Sequence, residues 1–205
     1  MDEDTRIIDT NTRNEKIKNF FIENKKILTS SILALIFFII GFYCYQIYKE
    51  GKKEQISNKY NNAIIEYQIG NKLKIVESLK EVVNIRDRTY SPLALYFIID
   101  NNLVEDNNEI NNLFDILIDK TPLETEVKNL IIYKKALFNA DHVKELELLN
   151  ILNPVINSKS VWKSHALYLL GEFFYSKGEI QKSKDFFQKI VSIENPNSEI
   201  LINTQ

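Results

Sequence analysis

Few side chains in this chain could do covalent chemistry, and their spacing argues against it. The two histidines, His142 and His165, fall in different expected helical hairpins, with no His-Glu-x-x-His run or Cys/His cluster. Neither a metal nor a general base therefore has its partners. The nearest carboxylate pairs, Glu145 with Glu147 and Asp115 with Asp119, read as solvated helix faces rather than as acid and base. Five scattered glycines (Gly41, Gly51, Gly70, Gly171 and Gly178) make no phosphate-cradling loop. No set of residues supplies a nucleophile, a base and an orienting group together. The expectation is no enzyme, no cofactor, no metal and no small-molecule substrate.

The remaining reactive group, the single cysteine Cys44, excludes an intrachain disulfide. It lies in Leu28–Tyr48 (LTSSILALIFFIIGFYCYQIY), a stretch without a charged residue. Twenty-one helical residues rise roughly 31 Å, the thickness of a bilayer's hydrocarbon core. Its apolar centre runs through Ile36 and Phe38. Gly41, Tyr45 and Tyr48 mark the far side, where aromatics gather as interfacial belts do. The reading is a transmembrane helix. A secretory signal would be shorter and end in a small-x-small site, and Phe42-Tyr43 ahead of Cys44 does not suit lipoprotein processing. An uncleaved anchor is expected. The twenty residues before Ile27 carry five basic residues (Arg13, Lys16, Lys18, Lys25, Lys26) and the twenty after Tyr48 carry four (Lys49, Lys52, Lys53, Lys59). Five against four does not orient the span.

The chain of 205 residues divides into a polar tail and membrane approach (1–26), the span (27–48) and one domain (49–205). A 44% hydrophobic, 26% charged composition is ordinary for a folded protein, and a net charge of −2 gives no footprint for nucleic acid.

Everything after the span reads as helix. Ile56, Tyr60, Ala63, Ile64 and Tyr67 share one face of a helix that runs on past Tyr48. Leu73, Val76, Leu79 and Val83 mark the next, which ends near Asp87. Ser91-Pro92 is expected to cap the helix after it, and Asp106 or Asn107 one bearing Ile110, Leu113, Phe114 and Leu117. Thr121-Pro122-Leu123-Glu124 has the form of a capping box opening a helix through Phe138. Asp141 is expected to cap a helix using Val143, Leu146, Leu149 and Ile151, ending at Pro154. A final pair spans Ser160–Lys177 and Glu179–Glu194, stopped by Pro196. The prolines, 30, 32 and 42 residues apart, punctuate a series of hairpins.

The final pair is the most specific. Ser164 to Asn197, SHALYLLGEFFYSKGEIQKSKDFFQKIVSIENPN, resembles the tetratricopeptide repeat, a helix-turn-helix of about 34 residues. Leu167, Leu170, Gly171 and Phe174 fill the first-helix positions. Gly178 takes the turn, Ser183 stands for the usual alanine, and Phe187 for the second-helix aromatic. Ile190 departs from the small residue expected, and Pro196 lies one place late. The resemblance implies a concave surface lined by His165, Tyr168, Leu169, Glu172, Tyr175 and Ser176, whose tyrosines could hold a peptide; the alternative is that Tyr168 and Leu169 pack on the preceding hairpin. Tyr60, Ala63 and Gly70, and Leu130 to Ala140, echo the repeat weakly. The fold class expected is all-α, one transmembrane helix continuing into an α-solenoid of about four such hairpins.

Gly41-x3-Tyr45-x2-Tyr48 leaving the span, Tyr60-x2-Ala63 opening the first hairpin, and the degenerate repeats behind them resemble the ancillary Sec translocon subunit family of bacterial inner membranes. That resemblance implies a cytoplasmic amino terminus and a periplasmic repeat domain. The implied partners are Sec translocon subunits, periplasmic chaperones or exported clients. The alternative expectation is an envelope organiser coordinating cell division or wall synthesis.

Overall fold

Nothing in the sequence alternates with period two, and the structure, a computed structural model describing residues 15–70, 72–194 and 196–204, contains no strand among those residues. The expected tail, residues 1–14, lies outside them. Residues 15–23 form α1, and Asn24 interrupts it before α2 (Lys25–Ile69). The chain divides into two compact units, Met1–Gln55 and Ile56–Gln205.

In the first unit α2 is long and apolar enough to cross a membrane, and none of its most apolar 18-residue window is buried. Ile36, Phe38, Tyr45 and Tyr48 are exposed, and nothing stands within 4 Å of where a Cβ on Gly41 would lie. The polar residues near Leu28 cost the helix little. Thr29 and Ser31 donate their hydroxyls back to the carbonyls of Lys25 and Ile27, at 2.9 and 2.8 Å.

The second unit is built from helices too short to stand alone: α3 (Lys72–Ile85), α4 (Tyr90–Asp100), α5 (Asn107–Asp115), a π-helical turn (Ile116–Lys120), α6 (Thr125–Asn139), α7 (Glu145–Ile156), α8 (Lys163–Ser176), α9 (Ile180–Val191) and α10 (Ser198–Asn203). The last turns of α2 bring Ile56, Tyr60, Ala63, Ile64 and Tyr67 to a first core with α3, α4 and α5. There Tyr60 packs on Tyr90 and Tyr67 edge-on against Phe97. A second core lies among α6, α7 and α8.

Several boundaries differ from those expected, for identifiable reasons. Helix α3 stops at Ile85 because Arg86 turns into the left-handed region (φ 62°). Ser91 does not cap α4. Its hydroxyl donates to Val82 O inside the core, and Asp87 instead accepts from the backbone N–H groups of Thr89 and Tyr90. Thr121 is also diverted. Its hydroxyl donates to Ile116 O at the π-turn, and α6 begins only at Thr125. Helix α7 starts at Glu145 with no cap from Asp141, and continues through Pro154 to Ile156. Its buried face is Leu148, Leu152 and Val155, whereas Leu146 points to solvent. In α3 the fully buried positions are Ile75, Leu79, Val82 and Val83. Pro92 lies in the first turn of α4, which pairs more closely with α3 than with α5. Asp106 does cap α5, accepting from Asn108 N at 2.8 Å, and Ile110, Leu113, Phe114 and Leu117 are all buried.

Helices α5 and α6 are tied by a reciprocal amide pair. Asn111 Nδ2 donates to Asn139 Oδ1 at 2.9 Å, and Asn139 Nδ2 returns the bond at 2.8 Å. Lys135 on α6 also reaches Asp115 at 2.6 Å. Asn139 is buried, so its replacement by Ala should cost about 1–2 kcal/mol. Unfolding of the full chain in detergent, followed by the fluorescence of Trp162, measures this. Asn111→Ala added to that variant should then cost less than it does alone, because the shared bond is already gone.

The last hairpin and the cleft beside it

Helices α8 and α9 form the most extensive pairing in the domain, and small residues make it possible. A Cβ added to Gly171 would fall 2.7 Å from Cδ1 and Cζ of the Phe187 ring and closer still to Cε1. The ring therefore occupies the space that a side chain at 171 would need. Ser183 faces the same contact and is buried, as are Leu167, Leu170 and Phe174. The turn closes in a Schellman arrangement: Gly178 N donates to Tyr175 O and Glu179 N to Phe174 O, both at 2.9 Å. Gly178 takes φ 76°, which a residue without Cβ adopts at least cost. Phe174 stacks on Phe186 with centroids 5.3 Å apart. The Lys182 ammonium lies 5.0 Å over the Phe174 ring and bonds both Glu145 and Glu179, fastening α9 to the start of α7.

The six residues expected to line a concave surface do not form one open face. His165 is turned inward, its ring 5.1 Å from Trp162 and 5.8 Å from Tyr133, which stack on each other. Its Nδ1 is buried with no hydrogen-bond partner among the described residues. Leu169 packs into the second core, and Tyr168 lies against Phe187 at 5.5 Å. Glu172, Tyr175 and Ser176 face solvent. The carboxy-terminal segment folds onto the start of α8, where Asn197 N donates to Ser164 Oγ at 3.2 Å.

Burial pushes the His165 pKa down, and the Glu199 carboxylate and Val161 carbonyl offset this only in part. Tyr168 is pushed up, first by burial and then by Glu172.

On a different side of the hairpin lies an open cleft of about 710 Å³, between residues 156–161 and the end of α9. Leu167 forms its base with half-buried Ile156 and Ile193 beside it, and Val161 is exposed at the edge. Lys159, Lys163 and Lys189 surround this apolar floor, with Glu194 among them. The loop is held in shape from α6: Glu126 accepts from Ser160 Oγ at 2.7 Å and from Val161 N at 3.2 Å. Ser160 Oγ in turn accepts from Trp162 N. Sequence reading missed this cleft. Lys163 and Leu167 at an i,i+4 spacing are a visible local signal, but Lys189 and Ile193 join them only through the fold. Among the described residues no three His, Cys, Asp or Glu gather closely enough to hold a metal ion.

Gly171→Ala should destabilise the chain by about 1–3 kcal/mol, the usual cost of overpacking. Phe187→Leu combined with it should recover part of that loss in thermal unfolding, where an additive outcome would deny the contact. His165 gives a pH signature with a definite sign. Its folded-state pKa lies below the unfolded value near 6.5, so its contribution is complete above that value and is lost as pH falls through the folded pKa. His165→Gln should narrow the stability difference between pH 7.5 and pH 5.5, measured by denaturant titration. No protein-family model, no curated protein and no solved structure matches this chain.

Proposed function

We propose that this chain is a single-pass membrane protein whose domain, Ile56–Gln205, acts as a scaffold that binds other proteins through a degenerate tetratricopeptide-like solenoid of about four hairpins. The observation that carries the reading is α2, whose unburied apolar stretch of membrane-spanning length belongs to the same chain as a helical domain. The Gly171–Ser183–Phe187 packing of α8 on α9 supports the repeat assignment, since that is where such a repeat needs its small residues. The resemblance of the span and first hairpin to the ancillary Sec translocon subunit family supplies the rest. On that reading the amino terminus is cytoplasmic and the domain periplasmic, at the bacterial inner membrane. The partners are translocon subunits, periplasmic chaperones or exported clients.

Two measurements test this together. Protease added to spheroplasts should cut the domain after Tyr48, while inverted vesicles should protect it and expose the amino-terminal segment. A photo-cross-linker at exposed Tyr175 should then capture translocon or chaperone subunits in membranes. Capture of cytosolic proteins alone sinks the translocon reading. Septal localisation with division proteins recovered would move the chain to envelope organisation instead.

A further inference from the structure

We propose that the cleft between residues 156–161 and the end of α9 docks a short, extended segment of a partner protein that carries carboxylates next to an apolar side chain. The proposal rests on the scaffold reading above and specifies the chemistry of what is bound. Its first basis is charge. The lining holds three lysines, Lys159, Lys163 and Lys189, against one carboxylate, Glu194. None of the three lysines takes part in an ion pair among the described residues. Of the other carboxylates nearby, Glu126 is engaged by Ser160 and Val161, and Asp185 borders the shallower hollow that continues past Lys189 and Ser192. An excess of two positive charges on a chain whose net charge is −2 is a local feature, not a reflection of composition.

The second basis is the floor. Half-buried Ile156 and Ile193, with Leu167 buried behind them, leave apolar surface in the lining, which an inorganic anion or a bare headgroup phosphate would not cover. Polar groups at the edge and apolar area at the base are what recognition of a mixed side-chain pair requires. The third basis is size. The open cleft measures about 710 Å³. A few extended residues fit.

The experiment uses the full chain in phosphatidylcholine nanodiscs and a fluorescein-labelled acidic peptide, DDLEFD, with the charge-inverted KKLKFK as control. Fluorescence anisotropy should show binding of the acidic peptide only, weakening as salt is raised. Lys163→Glu with Lys189→Glu should weaken it by about tenfold or more, while Lys163→Arg with Lys189→Arg stays within about threefold. Ser192→Trp, at an exposed position, should block the cleft without altering charge. Each variant is checked for an unchanged melting temperature. Equal binding of KKLKFK, or unaltered affinity in both the Glu and the Trp variants, overturns the proposal. So does displacement of the label by phosphatidylglycerol vesicles but not by unlabelled peptide, which would assign the cleft to lipid headgroups. Cross-linking separates this from the scaffold reading. If the Lys163→Glu, Lys189→Glu chain captures the wild-type partners undiminished, the cleft assignment fails and the scaffold stands. If the wild-type chain captures none, the scaffold reading fails whatever the peptide does.

Discussion

Two neighbouring residues of α6, Ile131 and Ile132, enter two different cores, and the order of the helical domain depends on that split. Helices α3 to α9 have 9 to 15 residues each. Isolated helices of that length are marginal in water, so each exists because a neighbour covers one of its faces. Helix α6 must satisfy two neighbours at once. Ile131 faces the core shared with α3, α4 and α5, while Ile132 and Ala136 face the one shared with α7 and α8. Removing α6 would uncover both. The Asn111–Asn139 pair and the Lys135–Asp115 contact fix its rotation, which two apolar faces alone would leave loosely specified.

Helix α2 presents the opposite situation. Ile32, Leu33, Leu35, Ile36, Phe37, Phe38, Ile39 and Ile40 are between 45 and 75% exposed. Left against water at that exposure, eight such side chains would forgo roughly 6–12 kcal/mol of burial. That is as large as the whole stability of an ordinary domain. A bilayer's hydrocarbon core would offer these side chains an apolar environment of matching length. The polar residues at its start fit the same account because their hydroxyls are bonded within the helix.

What could be read directly from residues was the chemistry that depends on near neighbours. Gly171, Ser183 and Phe187 stand at spacings dictated by one helix pair, and the buried face of α5 follows one clean period. Where the sequence offered more than one solution, tertiary packing chose. The run Glu145 to Ile156, ELELLNILNPVI, has apolar residues on nearly every face. Burial selected Leu148, Leu152 and Val155 and left Leu146 in solvent. Thr121 and Ser91 have capping chemistry, but each found a carbonyl better placed than its own helix start. His165 was placed in the same way, because Trp162 and Tyr133 gave it an apolar site to fill. The cleft was invisible for another reason: its two walls are some thirty residues apart, and no local pattern relates them.

The π-turn at Ile116–Lys120 bears on ancestry. A turn that closes from i to i+5 holds one residue more than an α-turn, and here it ends α5 ahead of the loop to α6. Ile116, Leu117 and Ile118 in succession all reach apolar surroundings there, and Ile118 touches both cores. A single-codon insertion could settle in such a place without cost to the fold. Chains descended from one repeating unit would then drift out of numerical step while keeping their shape. A comparison that insists on a fixed period would lose a residue of register at such a turn.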